Sequence, residues 1–296
     1  MLSIVTINYN GSESTIKLLK SLQNQADQDF QIIVVDNASE EADFNNLQTH
    51  IWKLNFHIST IRNKENLGFS GGNNVGIREA LENGALREAS GQAEWVLLLN
   101  NDTWVESDFI ASIRPVLRQK QGILGLPMDE GKRVSYCGKI RWLKPVGYHI
   151  YDYSQAQKDE DKHIIGGGML IHKDVFEKIG FLDEKYFLYF EDVDYSVRAR
   201  KAGIPLEILE KPLIHHATSS TTKKLGRPLL MRYHYRNALY FNFKNGPWYI
   251  KLLVWPWSGV ILLKQAVKVM IYHNREQSLA ILNGALDFYK NKMGKI

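Results

Sequence analysis

Three carboxylates fall within four residues of the stretch YFLYFEDVDYSVRARKAG (186–203): Glu191, Asp192 and Asp194. Such a cluster is a metal cage, a catalytic base with helpers, or an acidic helix start. It lacks the DxDxDG spacing and central glycine of a helix–loop–helix calcium site. First-turn acids are favoured by the helix macrodipole, and Asp194 stands four residues before Arg198, a structural pairing. Glu191 and Asp192 remain, behind an aromatic run that would desolvate them. Desolvation raises a carboxylate towards the basicity a proton acceptor needs.

Other residues offer complementary chemistry. LLLNNDT (97–103) brings Asp102 out of a buried strand beside Asn100 and Asn101. Mg²⁺ or Mn²⁺ bridging two phosphates takes oxygen ligands and needs only one or two protein carboxylates. The plain alternative is an Asx turn. LIHHATSS (213–220) puts His215 and His216 at the end of a short apolar strand, placed to ligate a metal or grip a diphosphate. NLGFSGGNNVG (66–76) is neither a Walker A loop nor a GxGxxG fingerprint. Its Gly68, Gly71, Gly72 and Gly76 would admit a ligand to the backbone in a strand-to-helix turn, with Asn73 or Asn74 opening the helix. Asp36 suits the imide NH of uracil or thymine, or a capping role within DNAS.

The elements that must position these groups alternate. LSIVTIN (2–8), FQIIVVD (30–36), HISTIRN (57–63) and EWVLLLN (94–100) read as buried strands separated by helices such as TIKLLKSLQNQ and VGIREALENG. The pattern predicts an α/β fold with a Rossmann-like, mostly parallel sheet covered on both faces. Ligands then bind at the carboxyl ends of the strands, where Asn8, Asp36 and Asp102 fall. Residues 104–222 read as mixed short strands and helices, and TSSTTKKLGRP (218–228) as a flexible connection or active-site loop closing that part of the chain.

Composition fits a folded protein of 296 residues with 44% hydrophobic and 23% charged residues. Its lone cysteine, Cys137, excludes an intramolecular disulfide and fits a reducing compartment. MLSIVTINYN reads as a strand rather than a signal peptide. Charge is lopsided: residues 223–296 hold 13 Lys/Arg against Glu276 and Asp287, a net +11, which leaves −6 on residues 1–222. Only 12 uncharged residues separate Lys251 from Lys264, interrupted by Pro256 and Gly259, short of the roughly 20 of a membrane crossing. Aromatic residues beside these lysines predict a helix lying at an anionic membrane surface, the alternative being a packed helical hairpin. No nucleic-acid motif accompanies the charge.

Taken in order, VTINYN (5–10), VVDNAS (34–39), NLGFSGGNN (66–74), LLLNNDT (97–103), the stretch 166–203 from GGGMLIHK to VRARKAG, and IHHATSS (214–220) resemble the inverting family-2 glycosyltransferases of GT-A fold. The similarity is greatest to rhamnosyltransferase-like members that build bacterial surface polysaccharides, and it covers about residues 2–220. It implies a catalytic GT-A domain at 1–222, with a nucleotide-sugar half at 1–103 and an acceptor half at 104–222, followed by a basic helical region at 223–296. Thr6, Asn8, Asn10, Asp36, Asn66, Gly68, Gly71, Asn74 and Asn101 would hold the nucleotide. Asp102 and His215 would bind Mg²⁺ or Mn²⁺; NNDT corresponds to the DxD metal motif with Asn100 in place of the first acid. Asp192 would be the base, and Glu191 with Gly167, Gly168 and Tyr189 would seat the acceptor.

The implied reaction moves a sugar, rhamnose by preference, from a dTDP- or UDP-sugar to a saccharide or polyprenyl-diphosphate-linked acceptor. It would take place in the cytoplasm, at the inner face of the cell membrane. Two rival readings are a sugar nucleotidyltransferase and a non-catalytic carbohydrate- or membrane-binding scaffold. The first would show an N-terminal glycine-rich loop with a basic residue, which MLSIVTINYNGSES lacks.

Overall fold

The computed structural model describes residues 1–54, 58–82, 93–216 and 226–296. The flexible connection expected at 218–228 lies almost wholly outside them, and so does the boundary at 222. The chain opens with β1 (Leu2–Asn8), α1 (Ser12–Gln23), β2 (Phe30–Asp36), α2 (Glu41–Ile51), β3 (Ile58–Arg62), α3 (Gly68–Glu82) and β4 (Trp95–Leu99). The apolar runs become strands because both of their faces are covered. Leu2 and Ile4 of β1 join one core and Val5 the other, and in β2 Ile32 and Val34 alternate with Ile33 and Val35. Successive strand side chains point to opposite faces, so a continuous β-branched run fits a sheet between two helical layers.

The chain continues through β5 (Thr103–Val105), α4 (Phe109–Leu117), β6 (Ile123–Gly125), β7 (Met128–Asp129), β8 (Val134–Ser135), β9 (Cys137–Lys139) and β10 (His149–Ile150). Then come α5 (Tyr153–Lys158), β11 (Lys162–His163), β12 (Gly168–His172), α6 (Lys173–Ile179), α7 (Glu191–Lys201), β13 (Leu206–Ile208) and β14 (Ile214–His216). Three helices close the chain: α8 (Arg227–Asn245), α9 (Trp248–Met270) and α10 (Arg275–Tyr289).

The main sheet has seven strands in the order β13-β6-β12-β4-β1-β2-β3. β3, β2, β1 and β4 are parallel, while β12 runs antiparallel between β4 and β6. Asn8 and Asp36 are direct register partners, and Leu99 pairs with Gly168. One edge therefore gathers the carboxyl ends of β1, β2 and β4 and the start of β12, which is where α/β sheets bind ligands. A second sheet, β5-β14-β7-β8, sets Thr103 opposite His216 and Trp104 opposite His215.

The glycine-rich segment departs from the turn expected of it. α3 starts at Gly68, so Gly71, Gly72 and Gly76 lie inside a helix rather than in a ligand-wrapping loop. Glycine disfavours helix, but here its missing side chain lets α3 press on the sheet. A Cβ on Gly76 would stand 2.4 Å from Val5 Cγ1 and 3.1 Å from Val35 Cγ2.

The C-terminal helices share a core of Leu239, Val254, Ile261, Ile281 and Ala285. Phe241 of α8 joins Ile140, Tyr186 and Val197 in a separate cluster. α9 is one continuous helix of 23 residues through Pro256, long and apolar enough in length and composition to cross a membrane. Ile250, Val254, Ser258, Ile261 and Gln265 face inward, while Trp248, Leu252, Leu263 and Met270 are exposed on the opposite side; Trp255, half exposed, packs its ring on Phe243, Phe288 and Tyr289.

Replacing Gly76 with valine is expected to cost about 2–3 kcal/mol in urea unfolding through overpacking. Gly147→Ala, at a position with open space around it, is expected to change stability by less than about 0.5 kcal/mol.

Candidate active site

The ends of β1 and β2 are tied into one buried network. Asn8 Nδ2 donates to Asp36 Oδ1 (2.9 Å), Ser39 Oγ (3.1 Å) and Asp43 Oδ2 (2.8 Å), and Asn8 Oδ1 accepts from Thr15 Oγ1 (2.8 Å). Asn101 Nδ2 donates to the same Thr15 hydroxyl at 3.0 Å, which brings the end of β4 into the chain. Asp36 is fully buried; Ser39 N donates to its Oδ2 (3.1 Å) and Arg62 Nε lies 3.5 Å away. Its charge is thus compensated, as a buried carboxylate requires. Asn10, at φ 48°, accepts from Glu40 N (2.8 Å) and donates its backbone N–H to Ser39 Oγ (2.9 Å). Thr6 is buried, with no hydrogen-bond partner for its hydroxyl among the described residues. Thr15 and Asp43 are site-forming residues that sequence reading passed over. Their signal is a short polar side chain in the first turn of a helix that follows a strand end.

Asn37 carries the network on to α3. Its Nδ2 donates to Asn66 Oδ1 and Gly68 O, both at 3.0 Å, and its Oδ1 accepts from Leu67 N (3.1 Å) and Asn63 Nδ2 (3.0 Å). Gly68 has φ 72°, and a Cβ there would lie 2.3 Å from Phe187 O, so this position needs glycine. Asn74 turns elsewhere: it donates to Leu182 O (2.9 Å) and Glu184 Oε1 (2.8 Å) and accepts from Leu182 N (3.0 Å). Among the expected nucleotide residues, the network joins Asn8, Asn10, Asp36, Asn66, Gly68 and Asn101, with Thr6 on the same strand. Asn74, and Gly71 within α3, serve the packing of that helix.

The three carboxylates of α7 separate cleanly. Asp194 is fully buried and takes Arg198 Nε (2.7 Å), Asn245 Nδ2 (2.6 Å), Tyr186 Oη (3.1 Å) and Lys244 Nζ (2.7 Å). Glu191 is buried too, but its Oε2 has no hydrogen-bond partner among the described residues. Burial first, then the charge of Asp192, pushes the Glu191 carboxyl well above the ordinary carboxylate range. Asp192 is half-buried; its Oδ2 accepts from Gly166 N at 3.1 Å. The next residue, Gly167, accepts from Asn100 N (3.3 Å), and the Asn100 amide fills the space a Gly167 side chain would need. Asp192 is therefore held one residue from the NNDT segment. Tyr189 sits on the same loop with its ring 4.0 Å from that of His234. Gly168 begins β12 against Ile214. His163, missed in the sequence, lies buried within reach of the Asp192 charge.

Strand alternation sets the expected metal residues Asp102 and His215 apart. His215 points away from Asp102; it stacks on Trp104 (3.8 Å between ring centres) and its Nδ1 lies 3.1 Å from Asp129 Oδ2. His216, on the other face of β14, brings Nε2 to 3.3 Å from Asp102 Oδ1. Hydrogen bonding to that carboxylate raises the His216 pKa, against burial. Among the described residues, no group of three or more His, Cys, Asp or Glu is arranged to hold an ion. One carboxylate and one imidazole nonetheless fit a cation whose other ligands are diphosphate oxygens.

The profile of "Glycosyl transferase family 2" matches residues 3–180. The chain belongs to that family. Among curated relatives, the low-salt glycan biosynthesis hexosyltransferase Agl10 of Haloferax volcanii is 29% identical, covering 69% of this chain and 62% of its own length. The chain thus spans under two thirds of that relative. The dTDP-rhamnosyl transferase RfbF of Shigella flexneri is 23% identical over 81% of this chain and 79% of its own. The N-acetylglucosaminyl-diphospho-decaprenol L-rhamnosyltransferase of Mycobacterium tuberculosis is 22% identical over 96% and 98%. The solved mannosyltransferase PcManGT of Pyrobaculum calidifontis, in complex with GDP-Man and Mn²⁺, covers 98% of this chain and 87% of its own at a TM-score of 0.56 and 13% identity. The fold of this family-2 chain is GT-A.

The raised Glu191 pKa makes a signed prediction. The folded chain keeps this proton at pH values where the unfolded chain, at an ordinary 4.5, has released it. Stability therefore falls as pH rises through that window. Glu191→Gln keeps the neutral shape and removes the loss. Urea titrations from about pH 5 to about pH 8 are expected to show the variant gaining on wild type as pH rises.

Proposed function

We propose that this family-2 protein transfers a hexose, L-rhamnose from dTDP-rhamnose by preference, to a saccharide carried on a polyprenyl diphosphate, with inversion at the anomeric carbon. The observation that carries this reading is the placement of Asp192: partly open to solvent, fixed on Gly166 N at 3.1 Å, and joined through Gly167 to the segment bearing Asp102. The relatives named for rhamnosyl transfer support the sugar, and one of them supports the lipid diphosphate.

In this reading the nucleotide lies along the Asn8–Asp36–Asn101 edge, with Asn66 and Gly68 beside it. Asp192 takes the proton of the acceptor hydroxyl as its oxygen bonds to the anomeric carbon. The bond from that carbon to the diphosphate breaks, and the nucleoside diphosphate leaves with the electron pair. Glu191 beside Asp192 helps position the acceptor, with Tyr189, Gly167 and Gly168 shaping its seat. Asp102 and His216 would hold the divalent cation, Mg²⁺ or Mn²⁺, which when bound neutralises the diphosphate.

Asp192→Asn is expected to lower sugar transfer about 10²–10⁴-fold while calorimetric binding of dTDP or UDP stays near wild type. Donors screened would be dTDP-rhamnose, UDP-galactose and UDP-N-acetylglucosamine. Unchanged turnover in the variant removes Asp192 as base, and product NMR showing a retained anomeric configuration removes inversion.

We also propose that the protein works at the cytoplasmic face of the membrane. The exposed side of α9 carries Trp248, Leu252, Leu263 and Met270, with Leu252 62% and Leu263 69% accessible. Lys251, Lys264 and Lys268 lie on the same helix, the combination that suits a helix in the headgroup region of an anionic bilayer. Wild type is expected to float with vesicles containing phosphatidylglycerol, and Leu252→Glu with Leu263→Glu to stay in the soluble fraction. Equal flotation of both proteins would remove α9 as the contact.

A further inference from the structure

We infer that Asn237 of α8, assisted by Tyr233, His234 and Arg236, is a positioning clamp on the loop that presents Asp192, an inference that rests on the reading of Asp192 as base. The loop 186–190 is built against local preference: Phe187, Tyr189 and Phe190 have φ of 63°, 71° and 75°. Side chains with a Cβ persist there only where the surroundings fix them. Phe190 is also the N-cap of α7, so any relaxation of the loop moves Glu191 and Asp192 directly.

What fixes the loop comes from about fifty residues away in sequence. Asn237 Nδ2 donates to Tyr186 O (2.9 Å), Leu188 O (2.8 Å) and Tyr189 O (2.9 Å), so the backbone curls around one amide. Arg236 orients that amide by donating its Nε–H to Asn237 Oδ1 (2.9 Å), and its Nη2 reaches Tyr186 O (3.3 Å). Both residues are fully buried. Tyr233 stacks on Phe187 with ring centres 5.5 Å apart, and His234 stacks on Tyr189 at 4.0 Å. One turn of α8 therefore contacts the side chains of Phe187 and Tyr189 and the carbonyls of Tyr186, Leu188 and Tyr189. The body of α7 does not depend on these contacts, since Tyr195 and Ala199 pack into the main core. The clamp acts on the approach to Asp192.

Asn237→Asp tests this with little change of shape. It turns a donor facing three carbonyls into an acceptor, while Arg236 keeps its partner. Amide hydrogen exchange at 186–192 is expected to speed up at least tenfold, with β1, β2 and β4 protected as in wild type. Donor turnover, measured with the same three nucleotide sugars, is expected to fall about 10²-fold in kcat at near-unchanged donor KM, since a small displacement of a reacting group costs this much. His234→Ala is expected to give a milder form of both effects and His234→Phe, which keeps the stack, to restore them. This pair carries the test if Asn237→Asp does not fold. Wild-type exchange at 186–192 in Asn237→Asp, or in His234→Ala should the first variant not fold, overturns the clamp. Fast exchange with wild-type kcat, or a kcat loss that vanishes when normalised to calorimetric UDP- or dTDP-binding sites, overturns the positioning role. Asp192→Asn is run alongside: if it keeps turnover, the base assignment fails while hydrogen exchange still decides the clamp.

Discussion

The backbone between Tyr186 and Glu191 holds Phe187, Tyr189 and Phe190 at positive φ, at a cost of about 1–3 kcal/mol each. That cost has to be offset by contacts from outside the loop, and these arrive from two directions. From α3, Phe69 N donates to Phe187 O at 2.6 Å, and Gly68 leaves room for that approach. From α8 come the Asn237 amide and two ring stacks, each hydrogen bond contributing on the order of 1 kcal/mol and each stack a similar amount. The strained loop is thus the joint between α3, which borders the proposed nucleotide edge, and α8, the first of the three C-terminal helices. A shift on either side is felt at Asp192.

The same loop explains why three adjacent acids do not behave alike. Helix geometry puts Asp194 one turn inward, where Arg198, Lys244, Asn245 and Tyr186 supply a full set of donors. Glu191, first in the helix, is buried with no donor to its Oε2 among the described residues, and burial pushes its carboxyl well above the ordinary carboxylate range. Asp192 lies between them on the side facing Gly166, with a backbone N–H to hold it and partial access to solvent. Burial and the supply of donors therefore sort one structural acid, one buried carboxyl and one half-exposed carboxylate, the proposed base, from a sequence that shows only EDVD.

Much of this was legible in the sequence where the signal is local. Strand ends at Asn8 and Asp36, the helix after YFLYF and the pairing of Asp194 with Arg198 all follow from period, caps and i,i+4 spacing. The glycines of 66–76 misled because a turn and a tightly packed helix use glycine for different reasons, and only the sheet behind α3 decides between them. His215 and His216 were both in view, but which of them meets Asp102 depends on the register of β14 against β5. The Asn237 clamp left no trace in local pattern. Its acceptors are backbone carbonyls 48–51 residues away, so neither its composition nor its spacing marks it.

These long-range bonds change what the C-terminal region is. Hydrogen bonds between α8 and earlier elements cross the boundary drawn at 222/223: Asn237 Nδ2 donates to Tyr189 O, Asn242 Oδ1 accepts from Leu143 N, and Asn245 Nδ2 donates to Asp194 Oδ1. α8 also shares a core with α9 and α10. The exposed apolar side of α9 is consequently not on a free tether; it is joined through packed helices to the loop that presents Asp192. If that side rests on a bilayer, the height of Asp192 above the lipid is set by the fold rather than by a linker. An acceptor whose diphosphate lies at the headgroups would then meet the base at one fixed distance. On the proposed reading, a basic region built this way would select acceptors by their reach from the membrane, which charge attraction alone does not do.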